Sequence, residues 1–245
     1  MQTEVRTEGK NPALMSALSR FGQFKPESER IVRAPKIEMN PILEAMRKIW
    51  TECGAPDAFN QYSTHGDMLI RIGKLEYSAK DVEVFSLALP ESQGEERFGA
   101  KAGLFLSALI NNCKESEFVI HTNHLAAPIE HIGFGNTKEI IIDGDVGNHA
   151  GDAMEGGSII VIGSAGISVG IGMNNGTITV EGKSGDEAGY GMKGGVLILK
   201  GHTGNLCGVH MEGGEIHIES RYVSISTGNM YGGKIFHKGK QIFPK

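Results

Sequence analysis

The stretch GDVGNHAGDAMEGGSIIVIGSAG, residues 144–166, opens a pattern that returns every nineteen residues to the C-terminus. One glycine column is Gly144, Gly163, Gly182 and Gly201, lapsing to Ser220 before Gly239. A second is Gly147, Gly166, Gly185 and Gly204, and a third is Gly151, Gly170, Gly189 and Gly208. Methionine keeps the same beat at Met154, Met173, Met192, Met211 and Met230, and Gly157, Gly176, Gly195, Gly214 and Gly233 close each unit. Self-similarity at a fixed short period marks a solenoid, whose units bury their apolar faces only by stacking on one another.

Each unit carries a short β-branched or aliphatic run: Ile140–Ile142, Ile159–Ile162, Ile178–Val180, Val196–Leu199, Ile216–Ile218 and Ile235–Phe236. Turn residues bound these runs, so they read as strands, and no unit is long enough for a βαβ crossover. Nineteen residues suit one coil of a parallel β-helix with two or three short strands. Glycine would supply the corners through positive φ. Alternation puts the columns headed by Ile140 and Ile142 on one inward face. Ala150, Val169, Ala188, Cys207 and Ser226 form a small-residue column for a narrow interior, and the methionines fill gaps in it. The last unit loses its glycines at Ser220, Val223 and Thr227, which marks Ser220–Lys245 as a cap or a docking surface.

Residues 1–36 read as an extended arm with a short helix that starts at Asn11 and Pro12 and ends near Gly22; Lys25–Lys36 is polar and proline-bearing. Residues 37–116 read as a small α+β domain. It holds a helix over Ile42–Cys53 capped by Asn40, strands over Met68–Ile72 and Val82–Leu89, and an apolar helix over Gly99–Asn112. Residues 117–245 form the β-helix, entered through a strand at Phe118–His121 and an irregular segment over Asn123–Asn136. The preceding domain would cap the first coil. The fold class is therefore mainly β, a single-stranded parallel β-helix behind a small α+β domain.

The 245 residues carry a net charge of −5. Glu139 to Glu181 contains six acidic residues and no Lys or Arg, a surface that repels nucleic acid. No apolar run approaches 18 residues and no targeting peptide is evident, so the expectation is a cytoplasmic protein off the membrane. Three scattered cysteines, Cys53, Cys113 and Cys207, fit a reducing compartment.

Chemistry-bearing patterns are sparse. His121, His124, Glu130 and His131, with Cys113 upstream, are the candidate metal ligands, on an irregular segment without a paired motif. Satisfied structural histidines are the competing reading and the preferred one. His149, His202, His210, His217 and His237 fall at different repeat positions and predict no histidine ladder. Gly170-Ile171-Gly172 and Gly189-Tyr190-Gly191 look like pieces of a dinucleotide fingerprint, but no helix follows to hold a pyrophosphate. No catalytic motif, cofactor site or complete ligand set stands out, so a chain without a bound cofactor is expected.

The unit Gly-x-x-Gly-x-x-x-Gly-x-x-Met-x-Gly-Gly over Glu139–Gln241 resembles the GXGXG β-helix superfamily. Its members include the β-helical subunit of formylmethanofuran dehydrogenase and the C-terminal domain of the large glutamate synthase subunit. Residues 144–166 and the C-terminal GGKIFHKGKQIFPK are most similar to the former. The resemblance implies a right-handed β-helix that is a non-catalytic scaffold for the catalytic subunits of a multisubunit oxidoreductase. The partners would carry tungsten or molybdenum pterin and iron–sulfur clusters. A stand-alone GXGXG subunit of a split glutamate synthase, with FMN in its partner, is the alternative. A self-contained enzyme or metal-binding protein using His121–His131 is the third reading.

Overall fold

The computed structural model describes residues 37–57, 60–226 and 228–244. The expected arm, with its helix after Asn11 and its extended Lys25–Lys36, lies outside the described residues. Eight strands form one sheet in sequence order: β1 Glu117–His121, β2 Glu139–Asp143, β3 Ser158–Val161, β4 Thr177–Val180, β5 Val196–Leu199, β6 Glu215–Ile218, β7 Lys234–His237 and β8 Lys240–Phe243. Strands β1 to β7 pair in parallel, each with the next, as a solenoid requires. From β2 onward the register is the period itself, with Ile140, Ile159, Ile178, Leu197, Ile216 and Ile235 in one line. These six side chains are buried, as are Ile142, Val161, Val180, Leu199 and Ile218 two residues on.

The solenoid begins one coil before the repeat is visible. Strand β1 pairs with β2 in the same register, Phe118 against Ile140 and Ile120 against Ile142, although 22 residues separate the partners. The expected two or three strands per coil are replaced by one strand and single bridges: Ala165 to Ser184, Ser184 to Thr203, Thr203 to Tyr222, and Cys207 to Ile225. The cause is local backbone geometry. Each coil turns through a left-handed residue at every second position: 131, 133 and 135, then 149, 151 and 153, then 168, 170 and 172, then 187, 189 and 191, then 206, 208 and 210. Alternating hands curl the chain too tightly for a second extended strand.

The glycine columns divide by cause. Gly151, Gly170, Gly189 and Gly208 have φ of 72–78° and are the expected positive-φ corners. Gly163, Gly182 and Gly201 do not. A Cβ on Gly182 or Gly201 would stand 2.6 or 2.0 Å from the glycine carbonyl one coil earlier. Gly166, Gly185 and Gly204 are likewise held by close approach of coil to coil, not by φ. The last column does both jobs. Gly176, Gly195, Gly214 and Gly233 have φ of 79–92°, and the Cε of Met154, Met173, Met192 and Met211 lies 2.5–2.8 Å from where each Cβ would be. Each methionine thus fills the space left by the glycine one coil ahead. Those four methionines are fully buried, and the small column from Ala150 to Ser226 is buried as well.

Before β1 the described residues form helices. These are α1 Pro41–Glu52, α2 Gln61–Ile72, α3 Ala79–Ala88, a short 3-10 turn Leu89–Ser92, and α4 Phe98–Asn112. The strands expected at Met68–Ile72 and Val82–Leu89 are therefore α2 and α3. Their buried residues recur at helical spacing: His65, Met68 and Ile72 in α2, and Val82, Phe85 and Leu89 across α3 and the turn after it. A capping box, with Asp81 N–H on the Ser78 hydroxyl and Ser78 N–H on the Asp81 carboxylate, starts α3. Helix α1 begins at its expected Asn40 cap, whose Oδ1 accepts from Leu43 N–H at 2.9 Å. Trp50 of α1 packs on Phe85, Phe98 and Phe105, joining the helices into one core that continues into the solenoid.

Helix α4 packs against the first coil. Gly99, Gly103, Ser107 and Asn111 lie on one face at a spacing of four. Glu130 N–H donates to Gly99 O, and the Asn111 amide donates to Phe134 O. Ser107 Oγ accepts from the N–H groups of Gly133 (2.9 Å) and Phe134 (3.2 Å). In later coils the equivalent donors, Gly151 and Gly170, use the carbonyls of Ile132 and Ala150. The serine hydroxyl therefore stands in for the coil that is not there. At the other end β8 folds back antiparallel on β7 through Lys238 and Gly239, both at positive φ as a two-residue hairpin turn demands.

His65 of α2 packs against Phe134, with ring centroids 4.8 Å apart. Its Nε2 is buried without a hydrogen-bond partner, and burial pushes its imidazole from the ordinary 6.5 down to about 4. Folding therefore favours the neutral ring. Its contribution is intact above pH 6.5, is lost as pH falls from 6.5 towards about 4, and levels off below. The full loss is on the order of 3 kcal/mol. Urea unfolding at pH 7.5 and 4.5 is expected to show a smaller acid loss for His65→Phe than for the wild type; equal losses would discard this assignment.

Candidate functional site

The candidate ligands from the sequence do not converge. His121 ends β1, where its Nδ1 lies 3.1 Å from Asp143 Oδ2 and its Nε2 lies 3.4 Å from Glu83 Oε1. The Asn123 amide donates to the same Asp143 oxygen at 3.0 Å. The hydrogen bond to Asp143 holds the His121 imidazole above its ordinary pKa. Both ring nitrogens of His124 are buried without hydrogen-bond partners, and burial lowers its pKa. His131 belongs to a different cluster. Cys113 is buried beside Tyr77. Among the described residues no group of three or more His, Cys, Asp or Glu side chains is placed to hold a metal ion.

What the fold does assemble is a chain of three side chains across two coils. Asp152 Oδ2 lies 3.2 Å from His131 Nδ1, and His131 Nε2 lies 3.3 Å from His149 Nδ1. The two imidazole centroids are 4.7 Å apart. Both histidines occupy the left-handed corner column, with φ of 56° and 61°. That conformation belongs to every coil, since Ser168, Glu187 and Leu206 adopt it in turn, so it reflects the solenoid and not a locally strained site.

With both imidazoles neutral, the hydrogen-bond direction along the chain is fixed. An ionised Asp152 accepts only, so His131 Nδ1 carries the hydrogen and His131 Nε2 a lone pair. That lone pair accepts from His149 Nδ1–H, which leaves a lone pair on His149 Nε2. This nitrogen has no hydrogen-bond partner among the described residues. Burial is the main cause that lowers the pKa of His149 and favours its neutral ring.

His131 and His149 face a cavity of about 240 Å³. Its other walls are Pro56, Asp57 and Gln61 at the start of α2, Arg97 and Ala100 at the start of α4, and Glu130. Arg97 donates to Pro56 O at 3.2 Å, and Glu130 Oε1 accepts from the Asn148 amide at 3.4 Å. No ion pair joins Arg97 to Glu130 among the described residues.

His149 is thus not the isolated repeat histidine it is expected to be. It stacks on His131 because the first coil is eighteen residues long at this corner, not nineteen. His202, His210, His217 and His237 remain separate, with partners at Arg221 O, Tyr190 and Tyr231, Glu215, and Ser220 O. Arg97 and Asp152 carry no motif; only the coil geometry brings them to this cavity. The Gly-x-Gly fragments bind no phosphate in this arrangement, because the N–H groups of Gly170, Ile171 and Gly172 donate to Ala150, Ser168 and Tyr190 carbonyls. No described helix is long and apolar enough to cross a membrane. No protein-family model matches the chain, and no curated protein matches it.

Proposed function

We propose that this protein is a scaffold subunit that works by holding partner proteins on a rigid β-solenoid, within a multisubunit oxidoreductase of the formylmethanofuran dehydrogenase kind. The observation that carries the reading is the uncovered corner of the last coils. Leu206, Val223 and Tyr231 are 46%, 55% and 76% exposed there, while the strand edge of the same coils is closed by β8. Large apolar side chains left in water beside a capped sheet edge fit a surface that another chain covers. The sequence repeat supports the particular class, since the same glycine and methionine beat marks the scaffold β-helices it resembles.

The test is native purification with mass spectrometry. The expected partners are metallopterin and iron–sulfur subunits; flavin and amidotransferase chains would move the assignment to a split glutamate synthase. Val223→Glu with Tyr231→Glu is expected to release the partners, at least tenfold in affinity, with the melting temperature within a few degrees of wild type. Partners retained in full by the double variant would place the docking surface elsewhere.

A further inference from the structure

Among the polar groups that line the cavity between the helices and the first solenoid corner, Asp57 and Gln61 with them, three offer a ligand different chemistry. Arg97 is a permanent cation. Glu130 is a half-buried carboxylate on the opposite chain segment, and no ion pair ties it to Arg97. His149 offers a lone pair whose direction is fixed by His131 and Asp152 behind it. A ligand that satisfies all three brings an anion for Arg97 and a multivalent hydrogen-bond donor, positively charged, for Glu130 and His149 Nε2. An ammonium group has three such donors. The space, about 240 Å³, limits the ligand to a small molecule. Pro56 and Ala100 add apolar wall, and the Asp57 and Gln61 side chains line the cavity as well.

We propose that this cavity is a binding site for a small zwitterion of the α-amino acid class, with its carboxylate on Arg97 and its ammonium between Glu130 and His149 Nε2. Asp152 and His131 are positioning residues. They act through His149, whose Nε2 they keep an acceptor. Bare carboxylates meet the charges of Asp57 and Glu130, and bare amines bring no anion to Arg97, so each half alone binds less well than the whole. The site goes beyond the scaffold reading and does not rest on it: a scaffold can carry such a site, and so can a chain with no partner.

Two measurements on the full chain test it. In ¹⁵N-histidine spectra of the free wild type at neutral pH, His149 is expected in the Nδ1–H tautomer, and Asp152→Asn is expected to abolish that preference. An Nε2–H tautomer for His149 in the wild type overturns the proposal without any variant having to fold. Calorimetric titration then uses L-alanine, acetate and methylamine as probes. L-alanine is expected to bind saturably and to shift the His149 signals, with acetate and methylamine each about tenfold weaker or worse. Arg97→Gln and Glu130→Gln are each expected to weaken L-alanine by about tenfold or more. Acetate binding as well as L-alanine, no saturable binding of L-alanine, or unchanged binding in both folded variants overturns it.

Discussion

Gly103→Ala is expected to detach the helical cap from the first coil. The added Cβ would stand 1.6 Å from the carbonyl oxygen of Glu130 and 3.0 Å from the Ile129 side chain. The nearest obstacle is backbone, fixed by its own hydrogen bond from Glu130 N–H to Gly99 O, so no rotamer change relieves it. Alanine has the higher intrinsic helix propensity, by about 1 kcal/mol, so local preference alone would make the substitution stabilising. The close approach reverses that sign. Helix α4 must move outward by more than an ångström, which pulls Ser107 away from Gly133 and Phe134 and leaves the buried Gly133 N–H unpaired, while Phe134 N–H keeps the His131 carbonyl. A cost on the order of 4 kcal/mol combines overpacking with the lost hydrogen bonds. Chemical denaturation of Gly103→Ala beside Gly66→Ala, an α2 glycine with open space around it, checks the claim. Similar midpoints for the two would mean that α4 does not seat on the coil as described.

Gly201→Ala is expected to be far more damaging than Gly172→Ala, against what backbone dihedrals alone suggest. Gly172 has a φ of 59° and nothing within 4 Å of an added Cβ. Its column already tolerates Ala153 and His210 at 51° and 56°. The cost there is about 1 kcal/mol, the ordinary penalty of a left-handed alanine. Gly201 has an unexceptional φ, but its Cβ would meet the Gly182 oxygen at 2.0 Å and carbon at 2.4 Å. Both atoms are backbone of the preceding coil. Relief requires the coils to part, which breaks parallel pairing on either side and costs on the order of 3 kcal/mol or more. Melting curves of the two variants decide it. If Gly172→Ala proves the worse, coil spacing is looser than the strand register implies.

The solenoid was legible because a repeat writes each structural demand several times. Ile140, Ile159 and Ile178 name one inward column, and the methionines name another, with no need for knowledge of the partner strand. The first coil was not legible. Phe118 and Ile120 supply the inward pair, but their distance to Ile140 and Ile142 breaks the period, and no glycine beat leads into them. The helices α2 and α3 were hidden by short apolar runs. Met68–Ile72 and Val82–Leu89 look like strands in isolation, and the deciding signals lie outside them, in His65 and in the Ser78 cap. The chain of Asp152, His131 and His149 was unreadable for a related reason. Its members belong to two coils of unequal length, so counting by nineteens separates residues that stacking brings together.

Chain order gives Ser107 a role in time as well as in space. Coils in a solenoid gain stability mainly from the coil beside them, so the first one formed has the least support. The serine hydroxyl and the Asn111 amide already offer Gly133 and Phe134 the partners of a finished neighbour. They lie on α4, which leaves the ribosome before any residue of the coils they receive. During synthesis the chain therefore carries its own seed crystal, and growth runs from that seed towards the C-terminus. Each completed coil then becomes the template for the next, until the β8 hairpin closes the last strand and ends the growth.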